Sequence, residues 1–171
     1  GSQKKKLEDY SKDDLVVLVK ELRKRKKYGL VWDAKTEDVV GQCKRELPVL
    51  EEVKNRTVEK AKDEPTNLII EGDNYHALSV LNYTHAEKID VIYIDPPYNT
   101  GARDWKYNND YVDINDSFRH SKWLSMMHSR LSLAKNLLTP DGVLICTIDD
   151  NEQAHLGVLL ETLFPEREKH C

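Results

Sequence analysis

Four consecutive residues, Asp95-Pro96-Pro97-Tyr98, carry the strongest chemical signal in this sequence of 171 residues. They follow the apolar run 89–94, so a carboxylate, two prolines and an aromatic ring are predicted to emerge together at the end of a buried strand. Each proline restricts the residue before it to extended backbone, and neither has an N–H. The sequence therefore predicts a rigid loop that presents the Asp95 carboxylate and the Pro96 carbonyl oxygen as neighbouring hydrogen-bond acceptors.

Two neighbouring acceptors suit an exocyclic amino group of a nucleobase, whose lone pair is delocalised into the ring. If its two N–H groups bind the Asp95 carboxylate and the Pro96 carbonyl, the nitrogen moves toward tetrahedral geometry and its lone pair can attack an electrophilic methyl group. Tyr98 offers a flat face on which a base drawn out of a duplex can stack. The alternative is a simple turn that closes a strand, because short motifs also occur by chance.

Alternating strands and helices are predicted around this motif. Buried strands at 68–70, 89–94 and 143–148 alternate with helices at 76–81, 121–138 and 151–163, with a turn at 140–142. Such alternation is typical of an α/β fold with a mostly parallel sheet, in which the carboxyl ends of the strands share one edge. That edge is expected to bring Asp73-Asn74 and Asp149-Asp150 to the Asp95 loop. The inner side of helix 121–138 is predicted to consist of Trp123, Leu124, Met127, Leu131, Ala134, Leu137 and Leu138.

The segment 100–117 has no apolar period and is rich in Asp, Asn and aromatic residues, so it is predicted to be a long surface loop. Trp105 and Tyr107 within it are candidates for stacking on a flipped base, with packing onto the domain as the alternative. For Gly101, the need for glycine in a turn is as good an explanation as a functional contact. A structural role at the entry of the following helix is favoured for His120 and Lys122.

Residues 1–64 are predicted to form a helical extension. Ser11 and Asp14 form a capping box ahead of an apolar stripe, and Gly29 follows the basic run 24–27 as a C-cap. The basic run is either a DNA contact or a solvated helix end. Weaker helices are expected at 36–47 and from 48 to about 62, and Gly1-Ser2 is typical of a residual expression tag.

Charge and composition exclude several classes of protein. Residues 1–65 carry 17 Lys and Arg against 14 Asp and Glu, whereas residues 66–171 carry 9 against 16, so the half with the motif lacks the basic face typical of nucleic-acid binding. Three cysteines without CxxC spacing predict neither a disulfide framework nor a zinc site, and no metal is expected. Without a membrane-length apolar run or a signal-peptide core, the sequence predicts a cytoplasmic protein with no membrane association.

Four blocks of this sequence, in order, resemble the DNA amino-methyltransferases that use S-adenosylmethionine, in particular the adenine-specific modification subunits of type III restriction-modification systems. The blocks lie at 71–74, 94–101, 119–124 and 141–152, within a resemblance that extends from 67 to 164. The resemblance implies a Rossmann-like methyltransferase sheet and methyl transfer from S-adenosylmethionine to a flipped adenine in double-stranded DNA. It also implies a restriction subunit with nuclease and helicase activity and a second copy of the chain as partners, in a bacterium, an archaeon or a phage.

The resemblance assigns roles to individual positions. It makes Asp95, Pro96, Pro97 and Tyr98 the catalytic motif. Asp73, together with Asn74 and Asn99, is expected to contact the cofactor, and Thr100 and Gly101 are expected to contact substrate beside Trp105 and Tyr107. An Asp at the first motif position favours adenine over cytosine, for which Ser is common at that place.

One element of the family pattern is absent, since no Gly-x-Gly occurs and the family's Phe-x-Gly-x-Gly loop holds the amino-acid part of the cofactor. The chain is therefore predicted to combine the helical extension 1–64 with the N-terminal part of a catalytic domain, 65–171, truncated before the recognition region and the glycine loop, and to be inactive alone. Two alternatives stay open. One is a non-catalytic piece that docks a nuclease or a second subunit, and the other is an amino-methyltransferase that acts on cytosine, RNA or a protein amide.

Overall fold

The structure is a computed structural model that describes residues 10–24, 30–57 and 63–165. By the contacts within it, the chain divides into two units, residues 1–30 and residues 31–171. Among the described residues, no helix combines the length and apolar character that crossing a membrane requires.

The first unit contains helix α1, Lys12–Lys24. Its predicted capping box is confirmed, because the backbone N–H of Asp14 donates to Ser11 Oγ at 3.1 Å while Asp14 Oδ2 accepts from the Ser11 N–H at 3.2 Å. The predicted C-cap Gly29 and the basic residues 25–27 lie outside the described residues.

The second unit begins with a segment that is held against the later helix α4, Arg119–Leu137. The Trp32 indole N–H donates to Ser125 Oγ at 3.1 Å, and Arg130 pairs with Glu37 at 2.8 Å. The weak helix expected at 36–47 forms as α2, Asp38–Cys43. The helix expected from 48 does not form through 53, and only a 3-10 turn, Lys54–Arg56, follows before residues 58–62, which are not described. The domain boundary between 64 and 65 stays a prediction.

A parallel pair of strands, β1 at Ile89–Ile94 and β4 at Leu138–Cys146, confirms the predicted α/β character of this unit. Val91 pairs with Val143 and Ile94 with Cys146, and the predicted turn at 140–142 falls in the irregular stretch before this register. A Cβ on Gly142 would lie 2.9 Å from the Ile89 carbonyl oxygen, so the close approach of the strands there requires glycine.

The expectation that all three strands are buried is wrong. Val91, Tyr93, Val143 and Ile145 are exposed, so one face of the β1–β4 pair is open in the described structure while the alternate residues are partly covered. The strand predicted at 68–70 does not form, and Ile69 is 100% exposed. An apolar run becomes a strand only when another strand pairs with it, and none of the described strands does so.

The long loop predicted at 100–117 is instead an antiparallel hairpin of β2, Ala102–Tyr107, and β3, Asp110–Asp113. The two turn residues, Asn108 and Asn109, have φ angles of +49° and +69°. Positive φ at both central positions defines the two-residue hairpin turn that Asn tolerates well. A polar composition concealed this hairpin because only its buried face is apolar.

This unit also contains three longer helices, namely α3 at Asn74–Thr84, α4 and α5 at Gln153–Leu163. Each agrees with a predicted helix to within a few residues, and all seven residues predicted for the inner side of α4 are buried. The core of this unit therefore lies along α4, which also carries the contacts to the Asp95 loop.

Candidate active site

The Asp95 carboxylate emerges directly after β1 and is fixed by two hydroxyl groups. Asp95 Oδ1 accepts hydrogen bonds from Thr147 Oγ1 at 2.5 Å and from the Tyr98 hydroxyl at 3.0 Å. The bond from Thr147, followed by that from Tyr98, holds the pKa of Asp95 below its usual value, and the same carboxylate raises the pKa of Tyr98. The site therefore presents an ionised, solvent-facing carboxylate and a neutral phenol.

Two further hydrogen bonds, one of them from helix α4 to Pro97, hold the motif loop. The buried Trp123 donates its indole N–H to the Pro97 carbonyl oxygen at 2.7 Å, and the backbone N–H of Thr147 donates to the Ile94 carbonyl at 3.1 Å. None of these hydrogen bonds uses Asp95 Oδ2 or the Pro96 carbonyl oxygen. The two acceptors that the sequence singled out for an amino group are thus not the ones that anchor the loop.

Asp149 approaches the same loop from the end of β4. Its negative charge contributes to the raised pKa of Tyr98, and its carboxylate binds the backbone N–H of Asn151 at 3.0 Å. The predicted edge of the sheet is confirmed to that extent, since residues after β1 and after β4 meet there. Asp149 stabilises the turn that precedes α5, whereas the N-cap position itself is Glu152.

Asp73 lies in a different set of contacts. As N-cap of α3 it accepts from the Tyr75 N–H at 2.7 Å, with Asn74 as the first helical residue, and it pairs with Arg130 at 3.3 Å. Asp73 borders a cleft of about 360 Å³. The cleft is lined by residues 42, 43, 46–50, 70–73, 76, 77 and 80.

Asn99, predicted to contact the cofactor, is fully buried. Its amide Nδ2 donates to Glu152 Oε1 at 2.5 Å and its Oδ1 accepts from the Trp105 indole N–H at 3.2 Å. A φ of +58° lets the chain turn sharply at this point, a conformation that Asn adopts more readily than most residues. The side chain thus joins the loop to its surroundings, and a cofactor contact of Asn99 stays a prediction.

Trp105 and Tyr107, for which the sequence left stacking on a base and packing onto the domain as alternatives, are 7% and 5% exposed. The Tyr107 hydroxyl donates to the Lys35 carbonyl at 2.7 Å, and burial raises the pKa of Tyr107 to about 12. Packing onto the domain, the alternative to stacking for these residues, is therefore confirmed, because alternate residues of β2 face the interior of the unit. A substrate contact of Trp105 and Tyr107 stays a prediction.

Thr100 and Gly101, predicted to contact substrate, form the entry to the hairpin. Thr100 Oγ1 accepts from the Ala102 N–H at 3.3 Å. Gly101 has a φ of +84°, and a Cβ at this position would lie 2.5 Å from Ile114 Cβ. Turn geometry and close packing alone thus account for glycine at 101, although they do not test a substrate contact.

Sequence reasoning missed the role of three side chains around the motif. The sequence predicts a strand at Thr147 and a core position for Trp123, and it indicates no role for Glu152. Each contacts the loop from more than 20 residues away in the sequence. Position at the carboxyl end of β4 was the available signal for Thr147.

Part of the chain is similar to known DNA methylases and restriction-modification proteins. Residues 89–166 match the family model described as DNA methylase. The chain is 48% identical over 98 residues to the probable type III restriction-modification enzyme HindVI Mod subunit of Haemophilus influenzae, a match that covers 57% of this chain and 12% of that protein.

Two further relatives extend the match. The type III restriction-modification enzyme EcoPI Mod subunit of Escherichia phage P1 is 32% identical over 166 residues, covering 82% of this chain and 25% of the relative. The type II methyltransferase M.KpnI of Klebsiella pneumoniae is 38% identical over 105 residues, covering 61% and 25%. The chain thus spans between about an eighth and a quarter of the length of these relatives.

Proposed function

Because residues 89–166 match the DNA methylase family model and the chain is similar to type III modification subunits, we propose that the protein containing this chain methylates the exocyclic amino group of adenine in DNA. The observation that supports this most strongly is the pair of acceptors at Asp95 Oδ2 and the Pro96 carbonyl, on a loop anchored through other atoms. Asp at the first motif position favours adenine over cytosine by resemblance to the family.

The proposed role of the loop is to orient the reacting nitrogen. One N–H of the adenine amino group donates to the Asp95 carboxylate and the other to the Pro96 carbonyl, so its lone pair is directed away from the ring. In the proposed transfer the nitrogen would bond to the methyl carbon while the carbon–sulfur bond of a sulfonium donor breaks, its electron pair remaining on sulfur as a neutral thioether. Positive charge develops on the nitrogen, and the adjacent carboxylate stabilises that charge without needing to reorganise. One proton of the amino group then leaves to solvent, and no covalent bond to the protein forms.

Tyr98 is proposed to stack on a base rotated out of the duplex. Its ring is only partly buried, and the bond from its hydroxyl to Asp95 fixes the ring beside the carboxylate. Stacking on an aromatic side chain contributes about 1–3 kcal/mol per base, comparable with the cost of unstacking a base. The proposal also includes the fold, in which further strands of the full-length protein complete the β1–β4 pair to a Rossmann-like sheet.

S-adenosylmethionine is the proposed methyl donor and supplies an electrophilic methyl group. The cleft beside Asp73 suits the adenosine half of this molecule, because Leu47, Ile70 and Val80 give it apolar walls beside the carboxylates of Glu71 and Asp73. Ribose hydroxyl groups donate well to such carboxylates. Asp73 keeps lone pairs for this purpose, since a carboxylate has about four acceptor sites and the observed bonds do not exhaust them.

The proposed partners rest on the likeness to type III modification subunits. The substrate is double-stranded DNA, and the proposed protein partners are a restriction subunit and a second copy of the chain. A cytoplasmic location belongs to the same proposal.

Substitution of the carboxylate tests the catalytic role. In the full-length protein, Asp95→Asn is expected to lower the methylation rate by about 10²–10³, the typical effect of losing one preorganised group, with DNA affinity retained. Asp90→Asn is the matched control, because Asp90 is an exposed residue of β1, the strand that precedes Asp95. Methylation by Asp95→Asn at a rate near that of the unaltered protein would contradict the assignment.

A further inference from the structure

A closed hydrogen-bond network surrounds Glu152, which is 0% exposed. Its Oε1 faces Asn99 Nδ2 at 2.5 Å and His120 Nδ1 at 2.6 Å, and its Oε2 faces His155 Nδ1 at 2.8 Å. Each imidazole donates to Glu152 in the tautomer that carries the proton on Nδ1, and these contacts are assigned accordingly. Glu152 thus receives three donors from three separate segments of the chain.

The network joins the motif loop to two helices. Asn99 directly follows Tyr98, His120 lies in the first turn of α4, and His155 lies in the first turn of α5. Asn99 also accepts from Trp105 in β2, so its amide is fixed on both sides. Trp123, about one turn after His120, holds the Pro97 carbonyl from the same helix.

A metal ion is the competing explanation, because one ligand atom from each of His120, Glu152 and His155 lies within 4.8 Å of the others. The hydrogen bonds already satisfy these atoms, and among the described residues every buried side-chain nitrogen and oxygen has a partner. Arg119 Nε also donates to His120 Nε2 at 3.2 Å, which places a cation beside the cluster. The arrangement is complete without an ion.

We propose that Glu152 is a positioning residue that acts through Asn99 to hold the Asp95–Tyr98 loop in its reactive geometry. The inference rests on the proposed methyltransferase function. Removing the acceptor leaves the fully buried Asn99 amide without the partner of its Nδ2, whereas the two imidazoles, each 38% exposed, can turn to water. The loss at Asn99 favours movement of the loop rather than retention of its geometry. Displacement of a reacting group by about 1 Å can lower a rate about a hundredfold.

A conservative substitution separates positioning from a need for negative charge. In Glu152→Gln the carboxamide oxygen can still accept from Asn99 and His120, while its NH₂ donates to His155 after that imidazole moves its proton to Nε2. Glu152→Leu keeps the site filled but provides no acceptor. The matched control is Glu52→Leu, because Glu52 is exposed and takes no part in the hydrogen bonds that hold the loop.

The experiment measures kcat, the KM for DNA, and amide hydrogen exchange over residues 95–101 in the full-length protein. Glu152→Leu is expected to lower kcat about a hundredfold with KM little changed and to accelerate exchange in this segment. Glu152→Gln is expected to keep both close to their original values. If Glu152→Leu fails to fold, Asn99→Asp provides the same test, because it places a carboxylate against Glu152 without emptying the core. It is expected to lower kcat and to accelerate exchange in the same way.

The outcomes distinguish this inference from the function on which it rests. If the unaltered protein methylates adenine and Glu152→Leu or Asn99→Asp retains its kcat and exchange pattern, the positioning role is overturned while the function stands. If the unaltered protein does not methylate adenine, the function fails, and faster exchange in these variants still reports the support of the loop. Stoichiometric zinc in the purified protein, with kcat lost on chelation, would show that His120, Glu152 and His155 form a metal site and would overturn the positioning role.

Discussion

Alanine at position 101 separates the two explanations of this glycine, a substrate contact and a backbone requirement. An L-residue at the left-handed φ of Gly101 costs about 1–2 kcal/mol. The added Cβ would also lie 2.8 Å from Ile114 Cα, which is backbone and cannot rotate away, and overpacking of this kind costs about 1–3 kcal/mol. Gly101→Ala is therefore expected to lower the free energy of unfolding by about 2–5 kcal/mol.

Urea unfolding followed by tryptophan fluorescence measures this loss, since Trp105 belongs to the same hairpin. Gly41→Ala is the matched control, because Gly41 lies in α2 with nothing within 4 Å of the added carbon. That control is expected to change stability by less than about 1 kcal/mol, in the stabilising direction. An unaltered free energy of unfolding for Gly101→Ala, combined with weaker DNA binding, would refute the backbone explanation and favour the substrate contact.

Two further substitutions test the site and its surroundings. Thr147→Val removes the strongest cause of the lowered pKa of Asp95, so that pKa is expected to rise. In a pH-rate profile, the acidic decline of the methylation rate is therefore expected to begin at a higher pH than in the unaltered protein. An acidic decline at the original pH would argue against the Thr147 bond. Tyr107→Phe is expected to cost about 0.5–1.5 kcal/mol of stability in thermal or urea unfolding and to leave DNA affinity unchanged, because its hydroxyl binds Lys35 inside the protein. A selective loss of DNA affinity in Tyr107→Phe would support the stacking role instead.

Local sequence signals predicted the parts of the fold that depend on nearby residues. The bounds of β1 and the inner face of α4 follow from apolar periodicity over a single element. The capping box of α1 likewise needs only two residues three positions apart. The candidate motif was found for the same reason, since four adjacent residues carry its chemistry.

Features that depend on distant partners escaped prediction. The strand expected at 68–70 had the right composition but no neighbour to pair with among the described strands. The hairpin at 102–113 has two local signals, an Asn-Asn turn and the alternation of buried Trp105 and Tyr107 with exposed Lys106. The polar composition of the segment concealed these two signals. Glu152 contacts Asn99 across 53 positions, a separation at which sequence patterns carry no geometric information.

Identification of the methylated base tests the central claim most directly. The full-length protein would be incubated with duplex DNA and S-adenosylmethionine that carries a deuterated methyl group, and the DNA would then be digested to nucleosides for mass spectrometry. The account predicts deuterated N6-methyladenine as the product, formed by the unaltered protein and strongly reduced in Asp95→Asn. Label found only in cytosine, or no label in the DNA at all, would contradict it.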